Sequence, residues 1–308
     1  MPEQNNEPKY HNFTQWQFFL FMMVPIVSWA LAFPFIKIGL QKFSFINLTI
    51  MRFIIVCIVF SLILTFKRKW FSKLHKKDII PLFILGFFGV MVYHLGLNYG
   101  EQYISAGAAS LIIATIPVFV VILAALFLKE KITFRKAIGI TTALFGVIII
   151  SILGTEEASI QIERTYAAIA VLIAAIMGAL YTIAGKKLLS RYNGISLTTY
   201  AILFGSIGLI PFLNKSLITE ISTMQPVTWF ALIFLGIFST VTAYTIWYIA
   251  LELKTASEIS IYLYAIPVIS TIASFILFKD EITTYFILGG IFVIIGLYLV
   301  NKKNKKIQ

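Results

Sequence analysis

The residues best suited to bind a polar solute lie inside long apolar stretches, where they recur at a fixed spacing. His94 and Asn98 are four positions apart, and Tyr244 and Tyr248 repeat this pattern 150 positions later. Residues four apart share one face of a helix. Each pair therefore predicts a polar stripe on an apolar helix, which would bind either a solute or a neighbouring helix. For His94 the alternative interpretation is a hydrogen-bonded core residue.

Two prolines mark a second group of candidate residues at the same offset. Ser110 lies ahead of Pro117, and Ser260 and Tyr264 lie ahead of Pro267. A proline within a helix removes one backbone donor and displaces the carbonyl group four residues earlier. Each proline therefore predicts a helix break, with a hydroxyl group or a ring beside it that would contact a solute. The alternative for the serines is hydrogen bonding between helices.

Trp29, Tyr181 and Arg52 complete the predicted binding site. The two rings, together with the tyrosines named above, predict an aromatic lining; the alternative is an aromatic belt at the membrane surface. A charge in mid-helix costs about 2.5–3.5 kcal/mol on insertion. Arg52 therefore favours a functional interpretation, either pairing with Glu101 or attracting an anionic group of the solute.

The composition places the chain in a lipid bilayer. Hydrophobic residues make up 59% of it, charged residues 12%, and the mean hydropathy is +0.92. Soluble domains have roughly half apolar and a quarter charged residues, so a soluble globular fold is excluded. The net charge of +12 resides in short connections between apolar runs, so no nucleic-acid partner is predicted.

Apolar runs separated by charged clusters predict ten transmembrane helices and no strands. Each run approaches the roughly 20 residues that a membrane-spanning helix needs. The predicted helices cover residues 16–39, 46–66, 79–98, 105–128, 134–153, 166–187, 195–213, 227–250, 257–278 and 283–300. This pattern divides the chain into a tail (1–15), a first repeat (16–153), a second repeat (166–300) and a basic tail (301–308).

The basic residues predict an orientation. With the N-terminus in the cytoplasm, 19 of the 25 lysines and arginines fall in cytoplasmic segments, as the positive-inside rule requires. Both termini are then cytoplasmic. Because each half has five predicted helices, the second half would enter the membrane inverted relative to the first.

An internal repeat supports this division. The segment from Ser105 to Gly146 aligns without a gap to the segment from Thr255 to Gly296. The identical positions in the first copy are Ala106, Ser110, Ile116, Pro117, Val118, Ile122, Lys129, Ile132, Thr133, Gly139 and Gly146. Broken helices at matching positions of two repeats are typical of transport sites.

These motifs resemble one known family. The segment SAGAAS leading to Pro117, the turn LKEKIT followed by Gly139 and Gly146, and the second-half turn FKDEIT resemble the drug/metabolite transporter superfamily, in its ten-helix EamA-type branch. The resemblance runs from about Trp16 to Val300. It implies a carrier of small molecules, and it leaves the substrate, the coupling ion and the oligomeric state open.

The sequence therefore predicts a secondary transporter of the plasma membrane that works by alternating access. The ring-rich lining favours an amino-acid-like or other amphipathic solute. The direction of transport stays open, with export as one option. One alternative is a carrier of anionic or phosphorylated metabolites, bound by Arg52, Lys37 and Lys186. An alternative from another class is an intramembrane enzyme acting on a lipid-linked substrate, but the chain shows no catalytic pair. No phosphate-binding loop, cofactor or metal site is predicted.

Overall fold

The computed structural model describes residues 13–128, 133–153, 162–279 and 282–301, and these residues are helical with no β-strand among them. Many helix ends lie where the sequence changes from apolar to polar residues, and several helices begin with a capping side chain. The helices are α1 (Gln15–Leu40), α2 (Phe45–Phe66), α3 (Ile79–Gly86), α4 (Tyr93–Tyr103), α5 (Ala106–Ile113), α6 (Ile116–Leu128), α7 (Phe134–Leu153), α8 (Ile162–Leu188), α9 (Gly194–Ser206), α10 (Ser216–Ser222), α11 (Pro226–Ile233), α12 (Ala243–Leu253), α13 (Ala256–Ser260), α14 (Ala265–Phe278) and α15 (Thr284–Asn301).

Several of these helices have the length and apolarity of membrane spans. Within the described ranges, seven helical stretches are long and apolar enough to cross a membrane. Tyr262–Phe278 and Thr284–Leu299 are apolar but shorter. The chain is thus an α-helical, multi-pass membrane protein, as its composition predicts. Four sequence-based assignments fall partly outside the described residues: the 1–15 and 301–308 tails, and the turns LKEKIT and FKDEIT.

The side chains that begin the helices explain several boundaries. Thr14 accepts a hydrogen bond from the Gln17 backbone, and Gln17 returns one to the Thr14 backbone, which forms a capping box at α1. Ser44 caps α2 and Asn193 caps α9 in the same way, each through its side-chain oxygen. Such caps satisfy backbone donors that the first turn leaves free, so α2 and α9 begin at matching places in the two halves.

Two π-helical segments interrupt the helices at related positions. Phe87–Val92 joins α3 to α4, and Phe234–Thr242 joins α11 to α12. In the second segment the Thr240 hydroxyl donates to the Leu235 carbonyl, five residues earlier, at 2.8 Å. A π segment shifts the faces of a helix and is frequent at functional sites. The residues that follow both segments lie on a central cavity, described below.

The α-helical geometry is interrupted just before Pro117 and just before Pro267. α5 ends at Ile113 and α6 begins at Ile116, and the Thr115 hydroxyl donates to the Ile112 carbonyl at 2.6 Å. In the second half, a 3₁₀ segment, Ile261–Tyr264, lies between α13 and α14. Pro117 and Pro267 therefore lie one turn or less after an irregular segment.

Glycines bring the last helix of each half together. A Cβ atom added at Gly146 of α7 would lie 2.5 Å from the Gly289 carbonyl oxygen of α15. A Cβ atom added at Gly296 of α15 would lie 2.5 Å from the Gly139 carbonyl oxygen of α7. Because Gly139 and Gly146 align with Gly289 and Gly296 at the 150-residue offset, the second contact is the first with the two halves exchanged.

Candidate functional site

A cavity of about 700 Å³, including its open mouth, lies between helices of both halves of the chain. Its lining consists of Trp29, Ala32, Phe33, Ile36, Arg52, Gly89, Tyr93, His94, Leu97, Ile113, Ile116, Gly178, Tyr181, Thr182, Tyr244, Trp247, Leu263 and Ile266. The lining residues of α4 and α12 directly follow the π segments, and those of α5, α6 and α14 flank the proline breaks.

Arg52 is the cation of this lining, and it is 2% exposed. Its Nε donates to the Thr240 hydroxyl at 2.8 Å, and that hydroxyl donates in turn to the Leu235 carbonyl at 2.8 Å. The π segment thus fixes the guanidinium group of a residue on α2. Glu101 is also buried and interacts with Arg52 electrostatically, but the direct hydrogen bond of Arg52 is with Thr240.

Aromatic rings form one wall of the cavity. The Trp29 ring makes edge-to-face contacts with Tyr244 and Trp247, with centroids 5.5 and 5.2 Å apart. Tyr181 meets Tyr244 edge-to-face at 5.6 Å. Trp29 Nε1 donates to the Ser239 carbonyl at 3.0 Å. This bond and the ring contacts hold the wall in one arrangement, with a polar hydroxyl on two of its four rings.

His94 lines the cavity and also makes a core hydrogen bond. Its Nδ1 lies 2.6 Å from the Val90 carbonyl oxygen. A carbonyl oxygen only accepts, so Nδ1 carries the hydrogen and Nε2 of the neutral ring remains an acceptor. The ring packs edge-to-face on Phe53 and Tyr93, at 5.0 and 4.8 Å. His94 therefore makes the core hydrogen bond of one interpretation, and its ring also lies on the cavity lining.

Five of the predicted residues, Trp29, Arg52, His94, Tyr181 and Tyr244, lie together on the lining, and five do not. Asn98 donates to the Thr49 hydroxyl at 2.8 Å, and the Tyr248 hydroxyl donates to the Tyr181 carbonyl at 2.9 Å. Ser110 donates to the Gly107 carbonyl at 2.7 Å, and Tyr264 to the Leu297 carbonyl at 3.3 Å. Ser260 is buried, with 2% of its surface exposed. The hydrogen bonds of Asn98, Ser110 and Tyr264 thus go to residues outside the lining, and that of Tyr248 goes to the backbone of a lining residue.

Sequence reasoning omitted Tyr93, Thr182 and Thr240. Tyr93 and Thr182 line the cavity beside predicted residues, and Thr240 holds Arg52. The one available signal was the polar pair Ser239 and Thr240 in the middle of an apolar run. Nothing in the local spacing indicates the contact between Arg52 and Thr240, which are 188 residues apart.

Polar contacts link α8, α9 and α12 at one end of the helix bundle. The Lys186 ammonium group donates to the carbonyl groups of Leu251 and Lys254, and Glu252 accepts from the Gly194 backbone. Lys37, which aligns with Lys186 at an offset of 149, instead lines a second pocket with Leu40, Gln41, Glu101, Gln102 and Phe278. The two lysines that align between the halves therefore have different surroundings at opposite ends of the bundle.

A further polar cluster, outside the cavity, links the segment between α2 and α3 to the segment between α8 and α9. Asp78 accepts from Arg191 at 2.5 Å and from the Tyr192 hydroxyl at 2.9 Å. The same hydroxyl accepts from the His75 backbone at 3.1 Å. Asp78 is 1% exposed, so its charge is balanced by a partner, as a buried carboxylate requires.

Comparison with known proteins identifies relatives over almost the whole chain. An uncharacterized transporter of Archaeoglobus fulgidus is 40% identical over 288 residues, covering 92% of this chain and 98% of the relative. The YdfC transporter of Bacillus subtilis is 31% identical, with 90% of each chain covered. A "probable terminal-alkyne amino-acid exporter" of Streptantibioticus cattleyicolor is 28% identical, with 92% of each covered.

A solved structure and a family model agree with these relatives. A crystal structure of another protein superposes with a TM-score of 0.61 at 16% identity, covering 91% of this chain and 94% of that one, which shows a shared fold. The model of the EamA-like transporter family matches twice, at residues 16–152 and 165–302. The chain is therefore a transporter that belongs to the EamA-like transporter family, within the drug/metabolite transporter superfamily.

Proposed function

We propose that the protein is a secondary carrier that moves a small amino-acid-like solute through the central cavity by alternating access. The observation that carries this proposal is the cavity itself, because helices of both halves contribute its walls. A site between two halves is exposed to one side of the membrane or the other when the halves rock against each other. The family of the chain and the names of its relatives support a transporter rather than an enzyme.

The proposed architecture is ten spans in two inverted repeats of five, 16–153 and 166–300. The exchanged contacts of Gly146 with Gly289 and of Gly296 with Gly139 support a two-fold relation between the halves. The double family match supports two repeats of equal length. The distribution of basic residues supports cytoplasmic termini and a location in the plasma membrane.

An amphipathic solute fits the lining best. The wall of Trp29, Tyr181, Tyr244 and Trp247 offers apolar surface with two hydroxyl groups, and Arg52 adds one positive charge. The relative named as an amino-acid exporter supports this substrate class at 28% identity. We assign Trp29, Arg52, His94, Tyr181 and Tyr244 to direct substrate contact. Asn98, Ser110, Tyr248, Ser260 and Tyr264 are assigned to positioning the helices around it.

A carrier of anionic metabolites is the second candidate, and Arg52 is the observation in its favour. Recognition of a phosphate group usually involves several converging cations. Lys37 lies on the second pocket and Lys186 donates to helix carbonyl groups, so neither joins Arg52 on the lining. This arrangement favours a solute with one negative charge over a phosphorylated one.

Release of radiolabelled solutes from proteoliposomes tests the proposal. The solutes are phenylalanine, leucine and a hexose phosphate, each loaded separately. Ala32→Trp fills the cavity, and Ile148→Trp, at a residue 53% exposed on the outer surface of α7, is the matched control. We expect release of an amino acid from the wild type and the control, and at least about tenfold slower release from Ala32→Trp. Release of the hexose phosphate alone, or equal rates in all three proteins, would refute the proposal.

A further inference from the structure

We propose that Arg52 is the carboxylate anchor of the central cavity and that a carboxylate group is a requirement for transport. This inference rests on the proposed function, because it names how the same cavity selects its solute. It makes one side chain specificity-determining, and it predicts which analogues of an amino acid the protein rejects.

The hydrogen bonds of Arg52 leave most of its donors available. A guanidinium group has five N–H donors, one on Nε and four on the two terminal nitrogens. Nε is bound to Thr240, and no described residue accepts a hydrogen bond from the terminal nitrogens. Those terminal nitrogens are therefore not fully buried, because they are absent from the set of buried polar atoms without a partner. Arg52 also lines the cavity. The free edge of the guanidinium plane therefore opens to the cavity.

The charge of this lining is not balanced within it. Arg52 is its cation, and none of its residues is aspartate or glutamate. The electrostatic interaction with Glu101 comes from outside the lining, because Glu101 faces the second pocket. An arginine inside a membrane is costly and marks functional sites. A bound anion would satisfy both the charge and the unused donors.

Tyr181 adds a second polar side chain beside the same cavity. The Tyr181 side chain is 3% exposed and lines the cavity, and its hydroxyl group is buried without a hydrogen-bond partner in the described part of the chain. A buried hydroxyl without a partner is unusual in a native protein. Tyr181 and Arg52 both interact with Tyr244, and all three residues line the cavity.

The chemistry of these groups favours a carboxylate over a phosphate. The flat edge of a guanidinium group matches the two oxygens of a carboxylate in a bidentate pair. One cation balances one negative charge, whereas a phosphate monoester carries about −1.5 to −2 at neutral pH. The rings of Trp29 and Trp247 on the adjoining wall fit an apolar group of the same solute.

Thr240 is a positioning residue in this proposal, because it acts through Arg52. Its hydroxyl accepts from Arg52 Nε and donates to the Leu235 carbonyl. Both hydrogen-bonding functions of the hydroxyl are therefore used, and the direction of the guanidinium group is fixed. A serine at this position keeps both bonds, and a valine keeps the shape and loses them.

The experiment measures inhibition of radiolabelled phenylalanine transport in proteoliposomes by four unlabelled probes. The probes are phenylalanine, phenylalaninamide, 3-phenylpropionate and phenyl phosphate. In the wild type we expect the amide to inhibit at least about tenfold more weakly than the amino acid, since a hydrogen-bonded charge is lost. The carboxylate without an amino group should inhibit measurably, and phenyl phosphate should inhibit more weakly than the carboxylate.

The variants assign this selectivity to Arg52. In Arg52→Gln we expect the KM for phenylalanine to rise about 10- to 100-fold and the preference over the amide to disappear. Thr240→Val should raise KM without changing kcat, and Thr240→Ser should restore it. Arg164→Gln, at the start of α8 outside the lining, is the control for loss of a positive charge. Thermal unfolding of each purified variant separates misfolding from altered recognition.

The outcomes distinguish this inference from the proposed function. Transport of phenylalanine with equal inhibition by the amide, or unchanged selectivity in Arg52→Gln, would overturn the carboxylate anchor and leave the carrier intact. Strongest inhibition by phenyl phosphate would also overturn it. In a separate assay with radiolabelled 3-phenylpropionate, transport of this compound without transport of phenylalanine would support the anchor and refute an amino-acid carrier. If no probe is transported or bound, both proposals fail.

Discussion

Two adjacent glycines on α15 provide a test of the contact between the halves. A Cβ atom added at Gly289 would lie 2.6 Å from Ile150 Cγ1 and 2.8 Å from the Gly146 carbonyl oxygen. A Cβ atom added at Gly290 would have ordinary contacts with Leu111, the nearest at 3.6 Å. Gly289→Ala therefore forces α7 and α15 apart, whereas Gly290→Ala has room for its methyl group.

The difference between the two variants isolates the packing effect. Alanine favours a helix over glycine by about 1 kcal/mol, and this gain applies equally to both positions. Overpacking against a backbone that cannot rotate away costs roughly 1–3 kcal/mol. We therefore expect Gly290→Ala to be slightly more stable than the wild type, and Gly289→Ala to be about 1–3 kcal/mol less stable than Gly290→Ala.

The assay uses the single cysteine, Cys57, which lies partly buried on α2. A dye that fluoresces on reaction with a thiol follows its exposure as the purified protein is heated. Each kcal/mol corresponds to a shift in Tm of about 2–4 °C for domains of 150–250 residues. Gly289→Ala should therefore unfold at least about 2 °C below Gly290→Ala. Equal unfolding temperatures would refute the close approach of the two helices.

Three further predictions concern residues outside the cavity lining. Tyr248→Phe removes the hydrogen bond from the Tyr248 hydroxyl to the Tyr181 carbonyl, so it should lower the free energy of unfolding by about 0.5–1.5 kcal/mol. A KM for phenylalanine that changes more than about twofold would instead place Tyr248 in the binding site. Asp78→Asn weakens the contacts with Arg191 and Tyr192. Because Arg191 is 39% exposed, the free energy of unfolding should fall by only on the order of 1 kcal/mol. An unchanged Tm would contradict this. Burial raises the pKa of the Tyr192 hydroxyl above 10.0, so Tm should be insensitive to this group below pH 10.0 and fall above it, with a smaller fall in Tyr192→Phe.

The sequence predicts the helices well because the bilayer imposes a simple rule. Every backbone polar group in hydrocarbon needs an internal partner, so an apolar run of sufficient length becomes a helix and a charged cluster ends it. The predicted ranges 16–39 and 46–66 correspond to Gln15–Leu40 and Phe45–Phe66. The π segments were not predicted, because they depend on how neighbouring helices pack rather than on a local pattern.

The predicted polar stripes show what residue spacing alone cannot predict. His94 and Tyr244 line the cavity, whereas Asn98 and Tyr248, one turn further along the same faces, bond to neighbouring helices. Residues four apart differ by only about 40° in direction but by about 6 Å along the axis. Spacing therefore predicts the face of a helix, and the depth of the cavity decides which turn of that face reaches it.

The contacts of Arg52 show a second limit of sequence analysis, which concerns residues far apart in the chain. Its position on α2 indicated a functional arginine, which would either pair with Glu101 or attract an anionic group of the solute. The direct hydrogen bond of Arg52 goes to a hydroxyl group from a π segment in the other half of the chain, and Glu101 interacts with Arg52 electrostatically. A contact between residues 188 positions apart arises from tertiary packing, and the local sequence around Arg52 contains no sign of it.

The central claim is that one cavity opens to each side of the membrane in turn, and cysteine accessibility tests it most directly. Thr182→Cys places a thiol on the lining in a Cys57→Ser background, and Thr199→Cys, buried on α9 outside the lining, is the control. A membrane-impermeant maleimide is applied to right-side-out and to inside-out vesicles. We expect labelling of Cys at position 182 from both faces, reduced by phenylalanine, and little labelling at position 199. Labelling of position 182 from one face only, whatever solute is present, would contradict alternating access.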